Sequence, residues 1–168
     1  GTATATKWFV IDGQQRLITV FLAVLAFVDA ICEEGHNDMA VGVLQDYVLH
    51  KKRKTTGSTN LHLVPSAKDA QTMNEVVSLV SDREDIKKEL VKSGQDFVPI
   101  KVTSTETHKK IRNSFDVLQS WASGRVAGQD QEDIQKMLDR LLQNLTFVEI
   151  LVRNPLDGPK VFDRLNSK

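Results

Sequence analysis

The sequence has a single cysteine, Cys32, in 168 residues. No internal disulfide can form, so no disulfide framework can stand in for a core. Such usage fits a reducing compartment, and a cytoplasmic location is expected. Cys32 lies in an apolar stretch and reads as a small buried hydrophobe. Neither charge is in surplus: lysine plus arginine and aspartate plus glutamate stand at 22 each. That balance excludes a wholly basic nucleic-acid clamp, and any contact with DNA would need a local patch or residues outside this stretch. No apolar run reaches the ~20 residues a bilayer demands. The strongest, Leu17 to Cys32, is interrupted by Thr19 and Asp29 and reads as a buried core helix, so no membrane partner is expected. Gly1 to Thr6 has neither the basic nor the apolar region of a secretory signal. It is expected to be disordered or a foreign remnant.

Common catalytic signatures are missing too. His36, His50, His62 and His108 are scattered, and none pairs with a cysteine or another histidine at zinc-ligand spacing. No serine or cysteine sits in a nucleophile motif, and there is no Gly-x-x-x-x-Gly-Lys loop. Trp8 and Trp121 fall on apolar faces and read as core residues. What is present is a normal globular balance, 40% apolar and 26% charged, enough for one domain with one core. No internal repeat is visible.

Along the chain, Lys7 to Ile11 (KWFVI) reads as a buried strand. Asp12-Gly13 breaks it, and a long helix is expected from about Gln14 to Glu34, stopped by Gly35. Met39, Val43, Leu44 and Val48 have helical spacing. Lys51 to Asn60 is a polar, basic loop, and Leu61 to Val64 resembles a short strand. Ser66-x-x-Asp69 predicts a cap for a helix running to about Val80. Arg83 to Lys92 is a short exposed helix. Thr103-x-x-Glu106 is a capping box for a helix carrying Ile111, Phe115, Leu118 and Trp121 and ending near Gly124. Ile134, Met137, Leu138, Leu141 and Leu142 mark another amphipathic helix. Leu145 to Val152 alternates as a strand. Asp157 caps a last helix with Pro159 in its first turn and Val161, Phe162 and Leu165 along it. The expected fold class is therefore α+β, helix-rich, with a small sheet of short strands.

The informative junction is Ile11-Asp12-Gly13-Gln14-Gln15-Arg16. Glycine between a strand and a helix permits a sharp turn and close approach of a ligand to the backbone. The first helical turn has unpaired N–H groups and partial positive charge, which suit a phosphate. Arg16 can add a bidentate contact to phosphate oxygens. An arginine is unfavourable at that end of a helix without an anionic partner. Gln14 and Gln15 offer neutral amides for a base, a ribose or a water. Asp12 can hold Mg²⁺, orient Arg16 or cap the helix, and the residues alone leave these three roles open. The plainer reading is an ordinary Asp-Gly turn with an exposed arginine.

The run FVIDGQQRLITVFLAVLAF resembles the signature of the GmrSD-type restriction endonuclease N-terminal domain family, marked by a DGQQR motif. LHLVPSAKDAQTM, HKKIRNSFDVL and LTFVEILVRNPLDGPKVFDRLNSK are similar to later blocks of that family, in the same order. The resemblance implies a ParB/sulfiredoxin-like core, in which a Gly-x-x-Arg turn contacts phosphates. It implies a nucleotide-binding or NTP-hydrolysing module of a modification-dependent anti-phage system, with NTP and Mg²⁺ as the candidate cofactors. Its partners would be a nucleotide, DNA through the full-length protein, and an HNH-type nuclease domain or subunit. Carried over, the motif is Asp12, Gly13, Gln14, Gln15 and Arg16, with Asn166 as the second-motif asparagine; the expected phosphate site adds Thr19, with Asp12, Gln15 and Arg16 as the candidate catalytic residues and Asp12 as the candidate Mg²⁺ ligand. Family members often have threonine where this chain has Ile18, leaving Thr19 one position on. No HNH region is present, and residues 1–168 are expected to be one domain from a larger protein.

A second expectation is a non-catalytic DNA-binding or regulatory module, using Lys51, Lys52, Arg53 and Lys54 together with Lys109, Lys110 and Arg112 against phosphates. A solvated loop and an ordinary charged helix face explain the same residues more plainly. Glu149 can face the Asp12 turn if its strand lies beside the first. A third expectation is a scaffold without chemistry of its own.

Overall fold

The computed structural model describes residue 10 and residues 13–50, 59–103, 109–145 and 155–167. The first helix, α1, spans Gln14–Glu33. Its interior has no glycine or proline, and leucine, alanine and valine dominate it. Gly35, at φ 83°, ends it in the left-handed region that glycine tolerates. The Gly35 N–H donates to the Cys32 carbonyl (3.0 Å) and the His36 N–H to the Ile31 carbonyl (3.1 Å). This paired closure satisfies carbonyls that the helix end would otherwise orphan. Ile18 and every residue from Phe21 to Cys32 are buried. A helix apolar on all sides belongs inside a bundle. By length and composition α1 could also cross a membrane, but here neighbouring helices enclose it.

Those neighbours are amphipathic. α2 spans Asn37–Val43 and runs into a π-helical turn, Leu44–Val48. The Leu49 N–H closes that turn on the Leu44 carbonyl at 2.8 Å. α3 is Ala70–Ser81, α4 is Glu84–Lys92 and α5 is Lys109–Val126. α6, Gln131–Gln143, starts at Asp130, whose carboxylate accepts the Asp133 N–H at 2.9 Å. A 3₁₀ turn at Pro155–Asp157 leads into α7, Gly158–Asn166. α1 packs chiefly against α5, with α2 and the π turn on another side. Phe27, Leu22, Leu25 and Ile31 of α1 share one core with Phe115, Ile111 and Ala122 of α5, Met73 and Val76 of α3, and Ile134 and Leu138 of α6. Burying each large aliphatic or phenylalanine side chain stabilises by roughly 1.5–3 kcal/mol.

The expected α+β class is corrected. Among the described residues there is no strand, only an isolated antiparallel bridge between Leu49 and Leu61. The Leu61 to Val64 strand does not form. Asn60 takes over the work of a strand: its side-chain amide donates to the Asp96 carbonyl and accepts from the Val98 N–H, both at 2.8 Å. Asn74 treats Ile100 in the same way, donating to its carbonyl (2.9 Å) and accepting its N–H (2.8 Å). Part-buried backbone groups thus find side-chain partners in place of a ladder. The other expected strands, Lys7 to Ile11 and Leu145 to Val152, lie outside the described residues except for Val10 and Leu145, and neither of these is in a strand. A ParB/sulfiredoxin-like sheet core falls with the α+β class.

Two helix limits also differ. Ser66 and Asp69 bond to each other (2.8 Å), so α3 begins only at Ala70. α5 runs through Gly124 to Val126 and turns at Gly128. The Thr103-x-x-Glu106 box lies outside the described residues at Glu106.

Candidate phosphate-binding turn

Gly13 precedes α1 at φ 81° and ψ 11°, in the left-handed region. A Cβ there would meet nothing within 4 Å. The requirement for glycine is therefore conformational, not steric. Gly13 has no side chain to cap the helix, and the first turn of α1 contains no acidic residue. Among the described residues no carboxylate meets the N–H groups and partial positive charge of that first turn.

Gln14, Gln15 and Arg16 are all exposed. The Gln14 amide donates to the Val10 carbonyl at 3.1 Å, reaching back across Gly13. The Thr19 hydroxyl donates to the Gln15 carbonyl at 2.9 Å, so its proton is committed within the helix. The structure thus brings Gly13, Gln14, Gln15, Arg16 and Thr19 onto the first turns of one helix. Ile18, in the family's threonine position, is buried.

Several expected site residues lie outside the described residues: Asp12, the Lys51–Lys54 run and Glu149. Asn166 closes α7 by its backbone, and its side chain is not among those described. Lys109, Lys110 and Arg112 are exposed at the start of α5, where no acidic residue occurs in the first turn. Arg112 is engaged by Asp116 at 3.0 Å. Trp121 packs edge-on against Phe27, centroids 5.3 Å apart, but stays 41% exposed. Among the described residues no three histidine, cysteine, aspartate or glutamate side chains form a group able to hold a metal ion.

The main polar feature that sequence reasoning missed is Asp29, 2% exposed in the C-terminal part of the apolar helix. Arg83 Nη1 donates to its Oδ1 at 2.6 Å, and the Gln119 amide donates to its Oδ2. Arg83 also lies 3.5 Å from Glu33, which accepts the Ser123 hydroxyl at 3.1 Å. Burial works against the Arg83 charge, but the hydrogen bond and charge of Asp29 outweigh it and hold the guanidinium above its ordinary value. Burial pushes the neighbouring Cys32 thiol up, opposed by Arg83. The signal was available: a carboxylate within an apolar run is costly unless paired. The cluster ties α1, α4 and α5 together at the end of α1 opposite Gly13, so it serves architecture.

A family model described as GmrSD restriction endonuclease, N-terminal domain, matches residues 1–168, the whole chain. No curated protein and no solved structure matches it.

Proposed function

This chain belongs to the GmrSD restriction endonuclease N-terminal domain family, and from that premise we propose that its Gly13–Arg16 turn binds the phosphates of a nucleoside triphosphate. The observation that carries the reading is a left-handed Gly13 opening directly into α1, with Arg16 exposed and no acidic residue in the first turn. An arginine at the positive end of a helix is repelled by the helix dipole, and a bound phosphate reverses that term. The backbone N–H groups of the turn would hold phosphate oxygens, and Arg16 would add a charge-assisted pair. Gln15 would position a water if hydrolysis follows, and Arg16 would stabilise charge on the transferred phosphoryl group. Gln14 is occupied with the Val10 carbonyl, so its role is to shape the turn. Mg²⁺ would enter with the nucleotide, through Asp12 and the phosphates. DNA and an HNH-type nuclease are the partners proposed for the full-length protein, in the cytoplasm.

The test is a thermal-shift titration with ATP, GTP, CTP and UTP, with and without Mg²⁺, on wild type and Arg16→Ala. Saturation at 100 times Kd adds about 2.7 kcal/mol, or roughly 5–10 °C for a chain of this size. A shift in wild type that Arg16→Ala abolishes supports the reading. No shift with any nucleotide overturns it.

A second reading, a DNA-backbone contact, draws on the exposed Lys109 and Lys110 at the start of α5. It predicts DNA binding that weakens steeply with salt and loses slope when both are neutralised. DNA binding independent of these lysines removes it.

A further inference from the structure

The charge of the whole chain is balanced, but that of α5 is not. The helix carries Lys109, Lys110, Arg112 and Arg125 against one carboxylate, Asp116. Asp116 is engaged by Arg112 at 3.0 Å. The cationic surplus is therefore left at the two ends of the helix, on Lys109 and Lys110 and on Arg125.

Beside the buried row Ile111, Phe115, Ala122 and Val126 runs a second row at helical spacing: Lys110, Ser114, Val117, Trp121 and Arg125. All five are exposed, and none is acidic. Val117 is 70% exposed and Trp121 41%. The rotation of α5 about its axis is fixed from α1. The Gln119 amide donates to Asp29, the Ser123 hydroxyl donates to Glu33 at 3.1 Å, and Trp121 meets Phe27 edge to face at 87°. Phe27 itself is 1% exposed, so the indole rests on the core by one contact and presents the rest of its surface outward. At about 1.5 Å per residue, Lys110 and Arg125 stand roughly 22 Å apart along the axis, with Trp121 roughly 16 Å from Lys110.

We infer that this face of α5 binds a single strand of nucleic acid. Lys109, Lys110 and Arg125 hold its phosphates, Trp121 stacks on a base, and Val117 packs between them. The inference deepens the α5 lysine reading given above and rests on it. Charge complementarity selects the occupant: cations stand at both ends of the row, and no carboxylate on it repels a strand. A duplex keeps its bases stacked inside and offers Trp121 no base face. A protein partner fits less well, because two apolar side chains fall far short of the ~800 Å² per partner that a stable interface buries.

The experiment is fluorescence anisotropy with a labelled oligo-dT of about 12 nucleotides and the matching duplex, across a salt series. Wild type is compared with Trp121→Leu, Val117→Glu and the double variant Lys109→Gln/Lys110→Gln, each checked for folding by circular dichroism. Wild type should bind oligo-dT more tightly than duplex. Trp121→Leu should weaken oligo-dT binding at least about fivefold, the low end for stacking one base, and leave the salt slope unchanged. The double variant should lower that slope by about 1.4, the share of two phosphates. Val117→Glu adds a carboxylate at a position the core does not use, and it should weaken oligo-dT binding even if Trp121→Leu fails to fold. Oligo-dT bound by Trp121→Leu and Val117→Glu as tightly as by wild type overturns the inference. If the lysine variant then still loses duplex binding, the lysine reading stands without it. No binding of either oligonucleotide by wild type overturns both.

Discussion

Gly13 and Asp29 show how single residues govern α1 from its two ends. Gly13 is required for its backbone angle, and open space surrounds it. Gly13→Ala should therefore destabilise by about 1–2 kcal/mol through left-handed strain alone. Gly13→Asn should cost less, because asparagine tolerates that region. Urea denaturation of the two variants checks the order, and equal loss would mean that contacts, not angle, hold the turn. Asp29 is different: its carboxylate is buried and gathers Arg83 and Gln119. Asp29→Ala strands both donors. The expected cost is about 3 kcal/mol, at the low end for breaking a buried pair, because Arg83 keeps some access to water and to Glu33. Chemical denaturation should show Arg83→Ala and Asp29→Ala to be strongly non-additive. Additive losses would show that the pair does not act as a unit.

Among elements, the segment from Asp96 to Ile100 is the telling one. It has no strand partner, yet asparagine side chains serve its Val98 and Ile100 backbone groups and its Asp96 carbonyl. Asn60→Ala removes a donor and an acceptor at once and leaves the Asp96 carbonyl and Val98 N–H without them. A loss of about 1–2 kcal/mol is expected, because both groups are only part-buried and the cost of an unsatisfied group, about 1–3 kcal/mol when buried, is reduced by access to water. Asn60→Asp keeps an acceptor for Val98 but sets a carboxylate against the Asp96 carbonyl, so it should not rescue. Thermal melts of both variants decide this, and a near-neutral Asn60→Ala would show that water replaces the clamp. The same devices explain why Leu61 to Val64 misreads as a strand. Its short apolar run fits several conformations, and the deciding partners lie in the 96–98 segment, over 30 residues away.

For the molecule as a whole, the legible parts were those encoded locally. The period of Ile111, Phe115 and Leu118, the spacing of Ile134 and Leu138, and the stop at Gly35 place α5, α6 and the end of α1 near where they stand. The turn at Gly13 was legible as well, because glycine, helix start and arginine are contiguous. The all-helical character of the described residues was not legible, since alternation in short runs does not distinguish a strand from an extended connector. Nor were the partners of Asp29, which lie 54 and 90 residues along the chain. Pairing across such distances is set by how α1, α4 and α5 pack, and no local pattern carries it. Ser66 and Asp69 show a subtler failure: a correct capping signature was consumed by a bond between its own two members.

The central claim is that the turn before α1 holds phosphate through Arg16. The most direct measurement is calorimetric titration of wild type and Arg16→Ala with each nucleoside triphosphate in the presence of Mg²⁺. The account predicts a saturable heat in wild type and at least about tenfold weaker binding in Arg16→Ala, the loss of one charge-assisted contact. Equal affinity in the two proteins, or no binding heat in wild type, would contradict it.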